Sequence, residues 1–198
     1  DYWAGISADT SDGDRDHAKR HAFRFNCNVG LKLTETVSSR FYASVNTLDQ
    51  ELPGALTRDV ALSAPRTGNF TGDQQRNIDS LRLQNRTRFD WGSTRFDVGV
   101  FLNTKQLFHP IFQVIDQKST DYGAYARLDH EAGPLSLTLG GEIRRGSTRA
   151  RQFVNVNGKR GALTFDADQD ARTANVYAEA RLTPIAGLSL IAGGIYAD

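Results

Sequence analysis

Apolar and polar side chains alternate along nine separate stretches of this chain, most of them ten residues or longer. A period of two is the mark of extended backbone, whose successive side chains leave opposite faces. The cleanest stretch begins at Leu135: Leu135, Leu137, Leu139, Gly141 and Ile143 share one face, and Ser136, Thr138, Gly140, Glu142 and Arg144 share the other. One face of such a strand is greasy and the other wet. Helical periodicity is nearly absent.

The same reading places strands at Tyr2–Asp9, Ala22–Leu33, Thr36 to about Leu48, Asp79–Trp91, Thr94 to about Leu107, Thr120–Glu131 and Arg172–Thr183, with a ninth starting at Leu188. In the Asp79 strand, Leu81, Leu83, Phe89 and Trp91 oppose Arg82, Gln84, Arg86, Arg88 and Asp90, while Asn85 and Thr87 interrupt the greasy face. Tight links at Thr34-Glu35, Gly92-Ser93, Gly133-Pro134 and Pro184–Gly187 carry turn residues. Between them fall long polar connections at 10–21, 49–78, 108–119 and 145–171. Strict alternation of short and long links is the habit of outer-membrane barrels, whose periplasmic turns are short and extracellular loops long. Strand length agrees, since a tilted spanning strand needs about 9–11 residues. Phe23, Phe89, Trp91, Phe96, Tyr122 and Tyr196 lie near strand ends, as interfacial aromatic girdles do.

Composition alone conceals this. With 198 residues, 24% charged and a mean hydropathy of −0.47, the chain excludes disorder and a helical membrane bundle. A β-barrel passes that filter, because its lipid-facing residues occupy only every second position. The net charge of +1 gives no single-sign field for nucleic acid. The basic set is skewed to 19 Arg against 5 Lys, and arginine suits planar recognition of carboxylates and other anions. A single cysteine, Cys27, allows no intrachain disulfide, and its place on the greasy face argues against a catalytic thiolate. The hydrolase elbow, the phosphate loop and the zinc-protease helix motif are all missing, so no enzyme is indicated. The histidines His17, His21, His109 and His130 match no metal-ligand spacing, and in the acidic runs Asp9–Asp14 and Asp166–Asp170 the glycine is misplaced and no glutamate closes a calcium loop. No metal and no cofactor are expected.

The fold class expected is therefore all-β: an antiparallel, up-and-down transmembrane β-barrel segment of about nine strands. Bacterial single-chain barrels have an even strand number, and the alternation here continues to both termini, so a larger parent barrel is expected. With the short turns periplasmic, Arg24, Arg82, Lys105, Tyr125 and Arg144 fall on the wet face toward the outside. Arg40, Arg88, Arg95, Arg127 and Arg181 fall toward the periplasm.

One stretch adds more than pattern. His21-Ala22-Phe23-Arg24-Phe25-Asn26-Cys27-Asn28-Val29-Gly30 passes through a short turn into Arg40-Phe41-Tyr42, and that strand enters a loop at Asp49-Gln50-Glu51-Leu52-Pro53-Gly54-Ala55-Leu56-Thr57. The order resembles the barrel region of TonB-dependent outer-membrane receptors, especially the branch that includes ferric-citrate receptors. Phe96–Phe101 and Asp121–Tyr125 are similar to strands of that family too. The resemblance implies that residues 1–198 are part of a 22-stranded barrel, without the plug, the TonB box or the closing C-terminal strand. It further implies location in the bacterial outer membrane, contact with outer-membrane lipid, engagement of the TonB complex through the absent plug, and active uptake of a ferric siderophore or similar nutrient chelate. The rivals are a passive porin-like channel and a soluble all-β binding protein.

Because ferric siderophores are often anionic, charge-assisted arginine contacts suit them. The expected binding basin comprises Arg82, Tyr125 and Arg144 with the loop residues Arg149 and Arg151. Glu51, Leu52, Pro53 and Gly54 form the motif-like part of an extracellular loop.

Overall fold

A computed structural model describes residues 1–198. Nine strands occur in chain order: β1 (Tyr2–Ser11), β2 (Arg20–Lys32), β3 (Val37–Glu51), β4 (Gln75–Asp90), β5 (Thr94–Pro110), β6 (Gln113–Ala132), β7 (Leu135–Val156), β8 (Lys159–Ile185) and β9 (Leu188–Ala197). They form one sheet in the order β1-β2-β3-β4-β5-β6-β7-β8-β9, each pair antiparallel. This is the meander that the alternation predicts.

The register aligns the greasy residues in cross-strand rows. Ile6 faces Phe25, Phe25 faces Val45, Val45 faces Leu81, Val98 faces Ala126, and Leu128 faces Leu139. The resulting face is apolar but not covered: Ile6 is 71% exposed, Val100 53% and Ile143 46%. A sheet that aligns its apolar residues and packs nothing against them requires an apolar surrounding, because exposing such a face to water forgoes its transfer free energy. Asn85 and Thr87, which interrupt the pattern in sequence, meet Ser39 on this face. Ser39 Oγ and Thr87 Oγ1 lie 3.0 Å apart, and Asn85 Nδ2 donates to Ser39 Oγ at 2.9 Å. The three side chains satisfy one another, the condition for placing polar groups where water is scarce.

Two connections differ from the sequence expectation. The segments 108–119 and 145–171 are mostly strand, since β5 and β6 are separated only by Ile111-Phe112 and β7 and β8 only by Asn157-Gly158. Outside the apolar band neither face is uniformly apolar or polar, with Phe108, Val114, Ile115, Phe153 and Leu163 scattered among polar residues, so periodicity vanishes although backbone pairing continues. Asn157 (φ 49°) and Gly158 (φ 79°) both adopt positive φ, as a two-residue hairpin turn of primed type requires, and Asn-Gly is its preferred sequence. Register shifts between Gln152 and Asn155 bend this long hairpin near its tip, as bulges do.

The other two long connections are real loops. The β1–β2 link spans 12–19, and the β3–β4 link spans 52–74 and carries one short helix, α1 (Arg58–Ser63). They dock on each other through Arg15. Its guanidinium donates to the carbonyls of Thr67 (3.0 Å), Pro53 (3.1 Å) and Gly54 (2.9 Å). Gly54 sits at φ 65°, and a Cβ there would collide with the Asn69 carbonyl. The Leu52-Pro53-Gly54 motif thus makes the bend that offers its carbonyls to Arg15. Beside it, His17 Nε2 lies 3.2 Å from Asp73 and its ring stacks on Phe70.

Candidate functional site

The polar face carries the chemistry. Strand register puts Arg24, Asn46, Ser80 and Lys105 in one cross-strand row and Asn26, Ser44, Arg82 and Asn103 in the next. Below them Arg82 joins Trp3, Asn28, Tyr42, Gln84, Phe101, Tyr125 and Glu142 around a concavity of about 560 Å³. Gln84 Nε2 donates to Tyr125 Oη at 3.3 Å.

Tyr125 owes its position to Gly99, its cross-strand partner. A Cβ on Gly99 would collide with the Tyr125 ring, and one on Gly140 with the ring of its partner Tyr177. A glycine opposite an aromatic lets the ring lie flat across the strand, and the ring covers the exposed glycine backbone in return. Tyr125 is thereby laid toward Gln84 rather than standing free.

Most charges of the polar face are paired. Arg88 holds Asp97 with a two-pronged contact of 2.9 and 3.1 Å, Arg127 holds Asp129 at 2.8 Å, Arg144 meets Asp121 at 3.2 Å, and Arg40 meets Asp1 at 2.6 Å. These pairs neutralise the lower half of the wall and its β6–β7 flank. Arg24, Arg82, Arg86 and Lys105 have no carboxylate of this chain within 4.0 Å, unlike the paired set. The upper wall of β2–β5 therefore offers Arg24, Arg82 and Lys105 among amides and hydroxyls, an arrangement that receives anions, while Arg86 lies lower, opposite Arg40.

The five expected basin residues divide between the two faces. Arg82 and Tyr125 line the concavity, and Arg144 lies on the same face one strand away, held by Asp121. Arg149 and Arg151 belong to strand β7 rather than to a loop, and their odd numbers place them with Ile143 on the opposite face. Arg149 meets Asp166 at 3.0 Å; this exposed contact raises the Arg149 pKa above its ordinary value, so the side chain stays cationic at any ordinary pH. Arg151 and Arg160 both donate to Asp116 Oδ2, at 2.8 and 2.9 Å. Asp116 is 1% exposed and its Oδ1 lacks a partner, while Arg160 also lies over the Phe108 ring at 4.8 Å. Sequence reading passed over Asn26, Ser44, Gln84 and Glu142 as site residues; their even spacing on the wet face, level with Arg82 and Tyr125, is the signal that finds them.

No protein-family model matches the sequence, and no curated protein is significantly similar to it. Solved structures are similar over nearly the whole chain. The ferric citrate transporter FecA in its unliganded form superposes with a TM-score of 0.74 at 11% identity, over 99% of this chain and 32% of that one. The chain has the barrel fold of TonB-dependent outer-membrane receptors. FpvA of P. aeruginosa bound to a heterologous ferric pyoverdine is similar at TM-score 0.75 and 12% identity, over 100% of this chain and 32% of that one. The copper transporter OprC is similar at TM-score 0.74 and 12% identity, over 99% and 32%. The chain spans about a third of the length of these receptors. In the receptor fold a closed barrel has a polar interior and an apolar exterior, so the wall bearing Arg82 and Tyr125 is the lumen side.

Proposed function

We propose that this chain is part of the wall of an outer-membrane receptor that binds and actively imports an anionic iron chelate, with energy relayed by TonB. The observation that carries the reading is the uncompensated cation set, Arg24, Arg82, Arg86 and Lys105, on a lumen wall whose other charges are mostly paired. A binding contribution comes from Arg82, Tyr125 and Arg144, supported by the Gln84 amide, while the unpaired Glu142 on the same concavity limits how much negative charge it receives. The role is capture and transport, with no bond chemistry.

The test uses the full-length protein in bacterial outer membranes. Binding of radiolabelled ferric citrate, as an anionic probe, is compared between the wild type and Arg82→Ala, Arg144→Ala and the double variant. Loss of one charge-assisted contact lowers affinity about tenfold. Unchanged affinity in the double variant for ferric citrate and for a panel of anionic ferric siderophores removes the basin assignment. Uptake that survives deletion of TonB removes the active-transport assignment and leaves a passive channel.

A further inference from the structure

Glu142 differs from its neighbouring carboxylates on the polar face. Asp97, Asp121 and Asp129 each hold an arginine, at 2.9, 3.2 and 2.8 Å. Glu142 makes no ion pair and no side-chain hydrogen bond; Arg144, two residues along β7 on the same face, is taken by Asp121. Glu142 is exposed to the lumen and is the sole carboxylate on the concavity that Arg82 also lines. The two charges do not neutralise each other, because Arg82 belongs to β4 and Glu142 to β7, three strand spacings or about 14 Å apart. The concavity thus has a cationic end and an anionic end, each without a partner.

The groups beside Glu142 have the same preference in sign. Tyr125 is its direct partner on β6, and Phe101 lies in the adjoining row, paired with Gly123. A Cβ on Gly123 would collide with the Phe101 ring, as one on Gly99 would with the Tyr125 ring. A ring laid against the wall in this way turns one face to the strand beneath and the other to the lumen, and aromatic faces attract cations. The cation–ring contacts that the chain makes for itself are elsewhere, Arg151 on Phe153 and Arg160 on Phe108. One free carboxylate beside two open ring faces suits an organic cation. A metal ion would call for several oxygen ligands.

We propose that the imported chelate carries an ammonium group, which docks on Glu142 against the faces of Tyr125 and Phe101 while the anionic oxygens of the same molecule meet Arg82. The inference rests on the uptake reading above and narrows its substrate to a chelate of mixed charge. Glu142 is then a specificity residue: it receives the ammonium of the right ligand and repels a chelate that is anionic throughout.

The experiment is titration calorimetry of the full-length protein in detergent with two probes. One is ferrioxamine B, a ferric trihydroxamate with a free terminal ammonium; the other is its N-acetylated form, which coordinates iron identically and lacks the charge. One charge-assisted contact at an exposed site changes affinity by about tenfold. Wild type is therefore expected to bind the ammonium probe about tenfold more tightly than the acetylated one. Glu142→Gln should lose that preference and bind ferric citrate more tightly than wild type does, and Glu142→Asp should keep most of the preference. Heat-modifiable migration on gels verifies that each variant has folded. Equal wild-type affinity for the two probes, absence of binding by both up to millimolar concentration, or a preference that survives in Glu142→Gln overturns the proposal. So does a Glu142→Gln variant that loses affinity for ferric citrate as well, which would mark Glu142 as merely structural. The uptake reading fails by separate results, unchanged affinity in the Arg82/Arg144 double variant or uptake that persists without TonB.

Discussion

Arg15 and Gly54 join two loops that are far apart in sequence: Arg15 Nη2 donates to the Gly54 carbonyl at 2.9 Å, and the same guanidinium holds Pro53 and Thr67. No carboxylate takes part. One cation meeting three backbone acceptors thus joins the β1–β2 loop to the β3–β4 loop, beside the Asp16 N–H that donates to the Arg66 carbonyl and the His17–Asp73 contact.

Arg15→Ala is expected to loosen the Pro53–Gly54 bend and its Asn69 partner while leaving the strands intact. Hydrogen bonds to a charged group contribute about 1.5–3 kcal/mol each when deeply buried, and less at this half-buried site. Amide exchange of Asn69 should accelerate by about tenfold or more, since its amide donates to Pro53 O in the same bend. Arg15→Lys should rescue little, because one ammonium cannot span the fork. Unaltered exchange in both variants would show the loop to be held by other contacts.

Gly99→Val should displace the Tyr125 ring from its resting place across the strand. Overpacking of this kind costs about 1–3 kcal/mol. The unfolding midpoint in urea should fall, and the Tyr125→Phe change made in the same background should no longer affect probe binding. Gly140→Val, which displaces Tyr177 instead, serves as the control: it should lower stability without touching the concavity.

Asp116→Ala strips the shared acceptor from Arg151 and Arg160. Breaking a fully buried pair costs about 3–5 kcal/mol, but Arg160 is 45% exposed and Arg151 29%, so about 2 kcal/mol is expected here. The loss should be local, read as faster amide exchange in 151–162 with the apolar band unaffected.

Asn85→Leu exchanges a polar group for an apolar one on the outer face. Ser39 and Thr87 still satisfy each other at 3.0 Å, so stability should change by less than about 1 kcal/mol. Asn85→Asp introduces a charge at the same place and should destabilise by at least about 1 kcal/mol in lipid bilayers. Equilibrium unfolding in lipid vesicles separates the two.

The strands were legible wherever a strand separates two media. Leu135–Arg144 and Arg172–Thr183 announce themselves because one side must be apolar and the other polar. Beyond Arg145 and before Arg172 that constraint lapses, and Ser147, Arg149, Asp168 and Asp170 alternate with small or polar residues such as Thr148, Ala150, Ala167 and Gln169, so pairing continues unseen. The Asn157-Gly158 turn was the readable sign of it. The candidate site was half legible. Arg82 and Tyr125 are bulky wet-face residues that stand out singly, whereas the division between Arg144 and Arg149 depends only on whether a position is even or odd in β7, a distinction lost once the segment is taken for a loop.

The β7–β8 hairpin has a topographic consequence. β7 has 22 residues and β8 has 27, about twice what a tilted spanning strand needs. At about 3.3 Å per residue, the surplus half of β7 projects roughly 25 Å beyond the bilayer after tilting. Its tip at Asn157-Gly158 would be carried on paired backbone rather than on a slack tether. A short epitope inserted there would be displayed at a set height above the cell surface, like a flag on a stiff mast, accessible to antibodies on intact cells.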